Sequence, residues 1–226
     1  MAASDYSVES VESAPFGENA YVVWRPGRDD ALVVDPSFDT ESLLDLLARA
    51  GRRAAAILNT HGHADHIAGN AAMKRAFPNA PLIIGRNEAR LLTDPEANLS
   101  ASFGLPLFSP PADQLVADGE RLDLAGFSFE VREIPGHSPG SVVFVCDQFD
   151  PVFVLGGDVL FAGSVGRTDL GGNGPQLFSG IRAKLFNLPD TAIVHPGHGP
   201  ATTIGREKRA NPFVGESAGR YEIGGP

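Results

Sequence analysis

The chain has 226 residues, 42% hydrophobic and 20% charged, values that are ordinary for a globular protein with a real core. It carries 28 acidic against 18 basic residues, a formal net charge of −10, and this balance disfavours nucleic acid as a partner, because phosphate contacts need a basic face. The 26 glycines and 18 prolines indicate many short elements joined by turns and exclude a helical bundle.

Membrane and export signals are not found in the sequence. The apolar runs fall short of the ~18 residues needed to cross a bilayer, and residues 1–5 carry neither a basic region nor an apolar stretch. The single cysteine, Cys146, cannot form an internal disulfide and suits a reducing compartment. We therefore expect a cytoplasmic protein with no membrane partner, and the sequence leaves its oligomeric state open.

The first half of the chain alternates strands with helices. β-branched and aromatic residues predict the strands, and Leu43, Leu44 and Leu47 have helical spacing. The predicted elements are strands over residues 19–25 and 31–34, a helix from 39 or 40 to 51, a strand over 54–60, a helix over 67–77 and a strand over 82–84. Residues 94–112 contain four prolines and no clear period, and they predict either a binding loop or lid, or a passive surface connection.

The second half repeats this order of strands first and a helix later. Its predicted elements are strands over residues 127–131, 142–145 and 152–155, a helix over 176–185 and a strand over 192–194. Two sheets packed together with helices outside would satisfy the order in both halves. We expect one domain over residues 1–212, followed by a C-terminal tail over residues 213–226.

Metal-ligand side chains are concentrated in the segment His-Gly-His-Ala-Asp-His, where a buried strand ends and a helix begins. His61 and His63, two apart in extended chain, project to the same side and can reach one ion. Asp65 and His66 begin the helix, point elsewhere and can serve a neighbouring ion. Gly62 is expected to let the backbone pass close to the metal. A polar turn that caps a helix is the alternative, and it explains this composition poorly.

Three later side chains of the same chemistry each follow a predicted strand and a tight turn. His137 lies in Pro-Gly-His-Ser-Pro-Gly, Asp158 follows Leu-Gly-Gly, and His198 lies in His-Pro-Gly-His-Gly-Pro. Each alone is more readily explained as a loop residue than as a ligand. Their recurrence at strand ends indicates one edge of a sheet, where sites in open α/β folds assemble.

The seven side chains divide naturally between two ions. One group is His61, His63 and His137, the other is Asp65, His66 and His198, and the two oxygens of Asp158 bridge them. Two ions ~3.5–4 Å apart hold a hydroxide of lowered pKa, and one ion can polarise a carbonyl while the hydroxide attacks it. Asp65, beside that hydroxide, is a candidate catalytic general base. The residues therefore predict hydrolysis without a covalent protein intermediate.

The H-x-H-x-D-H run at residues 61–66, followed in order by His137, Asp158 and His198, resembles the signature of the metallo-β-lactamase superfamily. The resemblance covers about residues 19–212. It implies an α+β fold, a four-layer αββα sandwich in which two packed mixed β-sheets are flanked by helices. It also implies a metal site along one edge of the sheets and the division of ligands given above.

Within the superfamily the chain resembles small single-domain hydrolases similar to glyoxalase II (hydroxyacylglutathione hydrolase), through residues 163–169 and 196–205. This resemblance implies a hydrolase of a small anionic thioester or related acyl substrate, with two divalent metal ions. Zinc is our first expectation, with iron or manganese as alternatives. Arg167 stands where such enzymes place a basic residue against a glutathione carboxylate, so it is predicted to bind substrate; a surface pair with Asp169 is the alternative. Glutathione itself is not predicted, because the helical domain with which glyoxalase II holds it has no counterpart in this sequence.

Two other functions remain open at this point. The persulfide dioxygenases share Gly-Arg-Thr-Asp at residues 166–169, and they hold a single iron with residues matching His61, His137 and Asp158 or nearby. Two histidines and one carboxylate suit Fe(II) and oxygen chemistry, but the Asp-Tyr that follows the last motif histidine in those enzymes is absent here. The other alternative is a non-catalytic metal-binding protein, which the open coordination positions of such a ligand set disfavour.

Four further residues carry smaller predictions. Asp35 is expected to form a turn or helix cap, with contact to a metal histidine as the alternative. Thr60 is expected to orient the His61 loop through its hydroxyl. His195 and Cys146 are expected to be structural, the latter a small core residue.

Overall fold

Two six-stranded mixed sheets form the centre of the computed structural model, which describes residues 5–216 and 218. The strands are β1 Ser7–Ser13, β2 Glu18–Trp24, β3 Asp30–Val34, β4 Arg53–Asn59, β5 Leu82–Gly85, β6 Gln114–Val116, β7 Arg121–Leu124, β8 Phe127–Glu133, β9 Val142–Cys146, β10 Phe153–Gly157, β11 Leu160–Phe161, β12 Ser164–Val165, β13 Ile193–Pro196 and β14 Thr202–Thr203. One sheet has the order β1-β2-β3-β4-β5-β6 and the other β14-β13-β10-β9-β8-β7, while β11 pairs with β12.

The helices lie between and after these strands. They are α1 Thr40–Arg49, α2 Ala64–Ile67, α3 Asn70–Ala76, α4 Gly174–Lys184 and α5 Ile204–Ala210, with 3₁₀ helices at Arg86–Leu92 and Ser100–Phe103. No helix in the described part of the chain is both long enough and apolar enough to cross a bilayer.

Apolar side chains fill the space between the two sheets and the space under the helices. The layer between the sheets contains four buried phenylalanines of the second sheet, Phe127, Phe129, Phe144 and Phe153. Leu43 and Leu47 of α1 belong to the cluster on the first sheet, and Leu177 and Ile181 of α4 belong to the cluster on the second. Because each sheet is covered on both faces, its central strands are continuously apolar. The predicted αββα sandwich is confirmed.

Strand direction brings several loops to one edge of the sandwich. β10 pairs in parallel with β13, and β8 runs in the same direction because both β8 and β10 are antiparallel to β9. In the first sheet β3 and β4 are also parallel. Main-chain hydrogen bonds join the two sheets there, from Asn19 N to Gly197 O at 2.7 Å and from Val142 N to Thr60 O at 2.8 Å. The loops that follow β4, β8, β10 and β13 therefore meet.

The predicted helix over residues 67–77 is wrong in its bounds. The structure has two helices, because Gly69 N donates to Pro36 O at 2.7 Å and the regular hydrogen-bond series is interrupted there. The short α2 contains Asp65 and His66, the last two residues of the predicted metal-ligand segment. The predicted helix over residues 176–185 begins earlier, at Gly174, because the Asn173 side chain caps it by accepting from Gln176 N at 3.0 Å.

Only the start of the predicted tail lies among the described residues. Val214 is buried in the cluster under α4, and Arg182 donates to the carbonyl oxygens of Phe213 and Val214. Residue 217 and residues 219–226, which complete the predicted tail, lie outside the described residues.

Candidate metal centre

The edge where the loops meet gathers all seven predicted side chains. His61 follows β4, His63 precedes α2, and Asp65 and His66 lie inside α2. The loops after β8, β10 and β13 supply the other three, His137, Asp158 and His198. The helix-capping alternative is wrong, because His63 is the N-cap residue of α2 but its side chain makes no capping hydrogen bond.

Three imidazoles form the first group. His61 Nε2 lies 3.1 Å from His63 Nδ1 and 3.2 Å from His137 Nε2. Burial and the charge of neighbouring histidines lower the pKa of His63 to about 3 and that of His61 well below its usual range. Both rings are therefore neutral at pH 7, with lone pairs available to one cation between the three nitrogens.

The second group contains Asp65, His66 and His198, and Asp158 lies between the two groups. Asp65 Oδ2 is 3.4 Å from His198 Nε2 and 3.9 Å from His66 Nε2. Asp158 Oδ1 is 3.4 Å from His66 Nε2, while Asp158 Oδ2 is 3.5 Å from the Nε2 atoms of both His137 and His198. One carboxylate thus faces ligands of both groups, the position predicted for the bridging residue.

Two buried polar atoms show that this arrangement fits metal ions. His66 Nε2 and Asp158 Oδ1 have no hydrogen-bond partner within residues 5–216 and 218. Leaving such atoms unpaired is costly, and a cation would satisfy both. Although burial raises the pKa of Asp158, the facing histidines, His66 foremost, lower it to well below its usual range. The carboxylate is therefore ionised and is a suitable ligand for a divalent ion.

Asp35 holds the ligand loops from behind. Its Oδ1 accepts from Thr60 N at 2.7 Å, and its Oδ2 accepts from Thr60 Oγ1 at 2.6 Å and from His66 Nδ1 at 3.1 Å. The expectation of a turn or helix cap is therefore wrong, and the alternative of contact to a metal-type histidine is correct. Thr60 Oγ1 also lies 3.2 Å from His61 Nδ1, as predicted. Such contacts fix the orientation and tautomer of ligand imidazoles.

Glu88 is a functional residue that the sequence reasoning missed. It lies in the 3₁₀ helix Arg86–Leu92 and is fully buried, and burial raises the pKa of its carboxyl. Its Oε2 accepts from Gly62 N at 2.8 Å, and its Oε1 accepts from Ser138 Oγ at 2.8 Å and from Gly140 N at 2.5 Å. One carboxylate therefore joins the loop of His61 to the loop that follows β8. No local pattern distinguishes this glutamate from its charged neighbours.

Two loop residues have roles different from those their sequence context indicates. A Cβ at Gly62 would overlap the Leu91 side chain, so packing against the 3₁₀ helix requires this glycine. The expected close approach of its backbone to a metal stays a prediction. Ser138 lies in Gly-His-Ser-Pro-Gly, which has the G-x-S-x-G spacing of nucleophile elbows. Its hydroxyl is buried and donates to Glu88, so it is not placed as a nucleophile.

A second buried glutamate, also missed, lies behind α2. Glu18 Oε1 is 3.7 Å from His66 Nδ1, and neither carboxyl oxygen has a hydrogen-bond partner in the part of the chain that is described. Burial raises the pKa of Glu18 well above its usual range, which favours the protonated form. Together with Asp35 and His66 it makes a further acidic group beneath the site.

Arg167 lines the cleft beside the ligand groups, whereas His195 does not. Arg167 lines the cleft, and its guanidinium donates to both oxygens of Asp169 at 2.7 Å, so the predicted surface pair is present and the role in substrate binding stays a prediction. Its carbonyl oxygen accepts from His137 Nδ1 at 2.8 Å. His195 packs edge-on against Tyr21 and does not belong to any of the ligand groups among the described residues.

The ligand groups open into a cleft of about 420 Å³, a size suited to a small molecule. Asn98, Leu99 and Phe103, from the segment 94–112, line it. Asn98 O accepts from Ala64 N at 3.0 Å, so this segment is tied to α2. The binding-loop alternative for residues 94–112 is therefore supported over a passive connection.

Comparison with known proteins gives a consistent family. The model of the metallo-β-lactamase superfamily matches residues 14–198. Hydroxyacylglutathione hydrolase GloC of Haemophilus influenzae is 36% identical over 92% of this chain and 98% of its own length. The structure of BLEG-1 B3 metallo-β-lactamase superposes with a TM-score of 0.87 at 38% identity, over 92% of this chain and 99% of that one.

A third relative is similar at comparable identity. The structure of TTHA1623 in a di-iron-bound form has a TM-score of 0.77 and 39% identity, and the match covers 92% of this chain and all of that one. The family model, the relatives and the αββα fold agree with one another. The chain belongs to the metallo-β-lactamase superfamily.

Proposed function

We propose that this protein is a binuclear metal-dependent hydrolase of the glyoxalase II-like type, acting on a thioester or related small acyl substrate. The observation that carries the proposal is the pair of ligand groups that Asp158 joins, with unpaired buried atoms facing one another. His61, His63 and His137 would hold one divalent ion, Asp65, His66 and His198 the other, with Asp158 shared between them. When bound, two such ions supply Lewis-acid activation of a carbonyl and of water.

Asp65 is the proposed catalytic base. Its carboxylate lines the cleft and is partly exposed, whereas His66 beside it is fully buried. Burial raises the pKa of Asp65, but His66 and the hydrogen bond from His198 more than offset that effect and lower it. The carboxylate is thus ionised at neutral pH and can accept a proton from a water molecule in the cleft.

The remaining parts of the proposal concern substrate, metal and location. Arg167 at the cleft margin would bind an anionic group of a small thioester. The name of the Haemophilus relative supports thioester chemistry, and the di-iron form of TTHA1623 supports a two-ion site. We propose zinc as the metal, with iron or manganese as alternatives. A cytoplasmic location is supported by the single, buried Cys146.

The experiment that tests this function is thioester hydrolysis by the metal-loaded protein. We expect turnover of small acyl thioesters that is abolished in Asp158→Asn and in protein stripped by a chelator. Oxygen uptake with a persulfide, in place of hydrolysis, would replace the proposal with the dioxygenase alternative. Metal binding without turnover of any thioester would support the non-catalytic alternative.

A further inference from the structure

Much of the lining of the cleft outside the ligand groups is an apolar wall. It contains six large hydrophobic side chains: Phe16, Leu99, Phe103, Phe161, Val165 and Leu170. Phe16, Phe103 and Leu170 are respectively 42%, 58% and 43% exposed, and the rings of Phe16 and Phe103 lie 5.7 Å apart. Exposed apolar side chains that converge on a concave site indicate a ligand that covers them.

Hydrogen bonds hold this wall against the metal-ligand helix. The Asn98 side chain is buried, donates to Leu91 O at 2.9 Å and to Leu107 O at 3.0 Å, and accepts from Ser100 N at 3.0 Å. The main-chain carbonyl of Asn98 accepts from the N–H of Ala64, which lies between the predicted ligands His63 and Asp65. The wall is therefore built before substrate arrives, and an apolar group would meet a preorganised surface.

Leu99 is held in a conformation that leucine disfavours. Its φ is +70°, in the left-handed region that a bulky side chain adopts only with strain. The hydrogen bonds of Asn98 and Ser100 on either side maintain that conformation. The isobutyl group consequently lines the cleft in a fixed position.

The cleft offers little to a ligand of high charge. Among the described residues that line it, Arg167 is the only lysine or arginine, and Asp169 already pairs with it. A thiol peptide with two carboxylates would find one guanidinium at most. An apolar group of the ligand, in contrast, would cover several side chains of the apolar wall.

We infer that the physiological thioester carries one apolar arm, which packs against Phe16, Leu99 and Phe103, and at most one anionic group. This inference rests on the proposed hydrolase function and deepens it by naming the substrate class. The arm belongs either to the acyl group or to the thiol of the thioester, and in both cases an alkyl chain would pack against the same side chains. The ring pair of Phe16 and Phe103 is the specificity-determining surface.

The test measures kcat/KM of the zinc-loaded protein on two matched series. One series varies the acyl chain from acetyl to hexanoyl on N-acetylcysteamine, and the other varies an alkanethiol from ethyl to hexyl under a constant acetyl group. Because a fully buried methylene is worth about fourfold in kcat/KM, partial burial predicts about twofold per carbon and roughly 16-fold over the four carbons added in one series. The series that shows the gain identifies the arm.

Variants locate the gain at the proposed surface. Phe103→Ala should remove most of the roughly 16-fold advantage in kcat/KM that the longest substrate of the series has over the shortest. Phe108→Ala is the matched control, because Phe108 is 65% exposed on the same segment but does not line the cleft. A flat dependence on chain length in both series, or equal losses in the two variants, would overturn the inference.

A binding measurement separates this inference from the hydrolase proposal. Calorimetry with non-hydrolysable thioethers of the same two series should show affinity that rises with chain length in wild type and not in Phe103→Ala. Chain-length-dependent binding without hydrolysis would refute the proposed function and leave the apolar arm standing. Hydrolysis with no chain-length dependence of turnover or binding would refute the apolar arm and leave the proposed hydrolase function standing.

Discussion

Replacing Glu88 with alanine should loosen the two loops that carry the first histidine group. The variant leaves Gly62 N and Gly140 N without their acceptor, whereas Ser138 Oγ retains Ser141 Oγ at 2.5 Å. Each buried donor left unpaired costs about 1–3 kcal/mol. Relief of the burial cost of the carboxylate, seen in its raised pKa, offsets part of this loss. We therefore expect a loss of about 2–4 kcal/mol in the free energy of unfolding.

Urea unfolding of the metal-free protein measures this loss, and a chelator competition at equilibrium measures zinc affinity. Because residues that orient ligand loops typically contribute about 10–100-fold to metal affinity, Glu88→Ala should weaken zinc binding by a factor in that range. Glu133→Ala is the control, since that carboxylate accepts from the neighbouring Asn87 in an exposed hydrogen bond. If Glu88→Ala does not fold, Glu88→Gln retains one acceptor oxygen, so it should lose less stability than Glu88→Ala and still weaken zinc binding. Stability and zinc affinity equal to those of Glu133→Ala would refute the reasoning.

Two further predictions concern the margins of the site. Arg167→Ala should raise KM for anionic thioesters more than it lowers kcat, and an unchanged KM in steady-state kinetics would leave Arg167 only its pair with Asp169. Burial lowers the pKa of His195 to about 4. As pH falls from about 6.5 to 4, this histidine is therefore protonated in the unfolded chain before it is protonated in the folded one. The free energy of unfolding should decrease by at most about 3 kcal/mol over that range. In urea unfolding of the metal-free proteins at pH 7 and 4.5, His195→Phe should lack this decrease. An identical pH dependence in wild type and His195→Phe would contradict the attribution of the decrease to His195.

Elements whose pattern is long and regular could be predicted from the sequence. The strands β2, β4, β9 and β10 each contain a continuous apolar run, because most of these residues are buried on both faces of their sheet. The helix α1 shows helical spacing, and the Asp39 side chain caps it by accepting from Ser42 N. Elements of two or three residues such as β6, β11 and β14 have no periodicity to read. The strand β1 and the helix α5 were also missed; β1 is mostly polar because it pairs at the edge of its sheet.

The candidate ligands could be predicted because their chemistry recurs at strand ends, a local signal. Asp35, Glu88 and Glu18 could not be placed in the same way. The contact of Asp35 with His66 spans 31 residues and depends on the pairing of β3 with β4. The contact of Glu88 with Gly140 spans 52 residues and depends on how the two sheets pack. Nor does composition show that Leu99 and Phe103 face the cleft, because that requires the hydrogen bonds of Asn98.

The proposal of a binuclear hydrolase depends on two ions held by the groups that Asp158 joins. The most direct test is metal identity and content per chain, measured by mass spectrometry on protein purified without added metal and again after zinc saturation. We predict about two ions per chain in wild type and a clear loss in both His63→Ala and Asp158→Ala. One ion per chain at saturation, or full metal content and activity in either variant, would contradict the binuclear site.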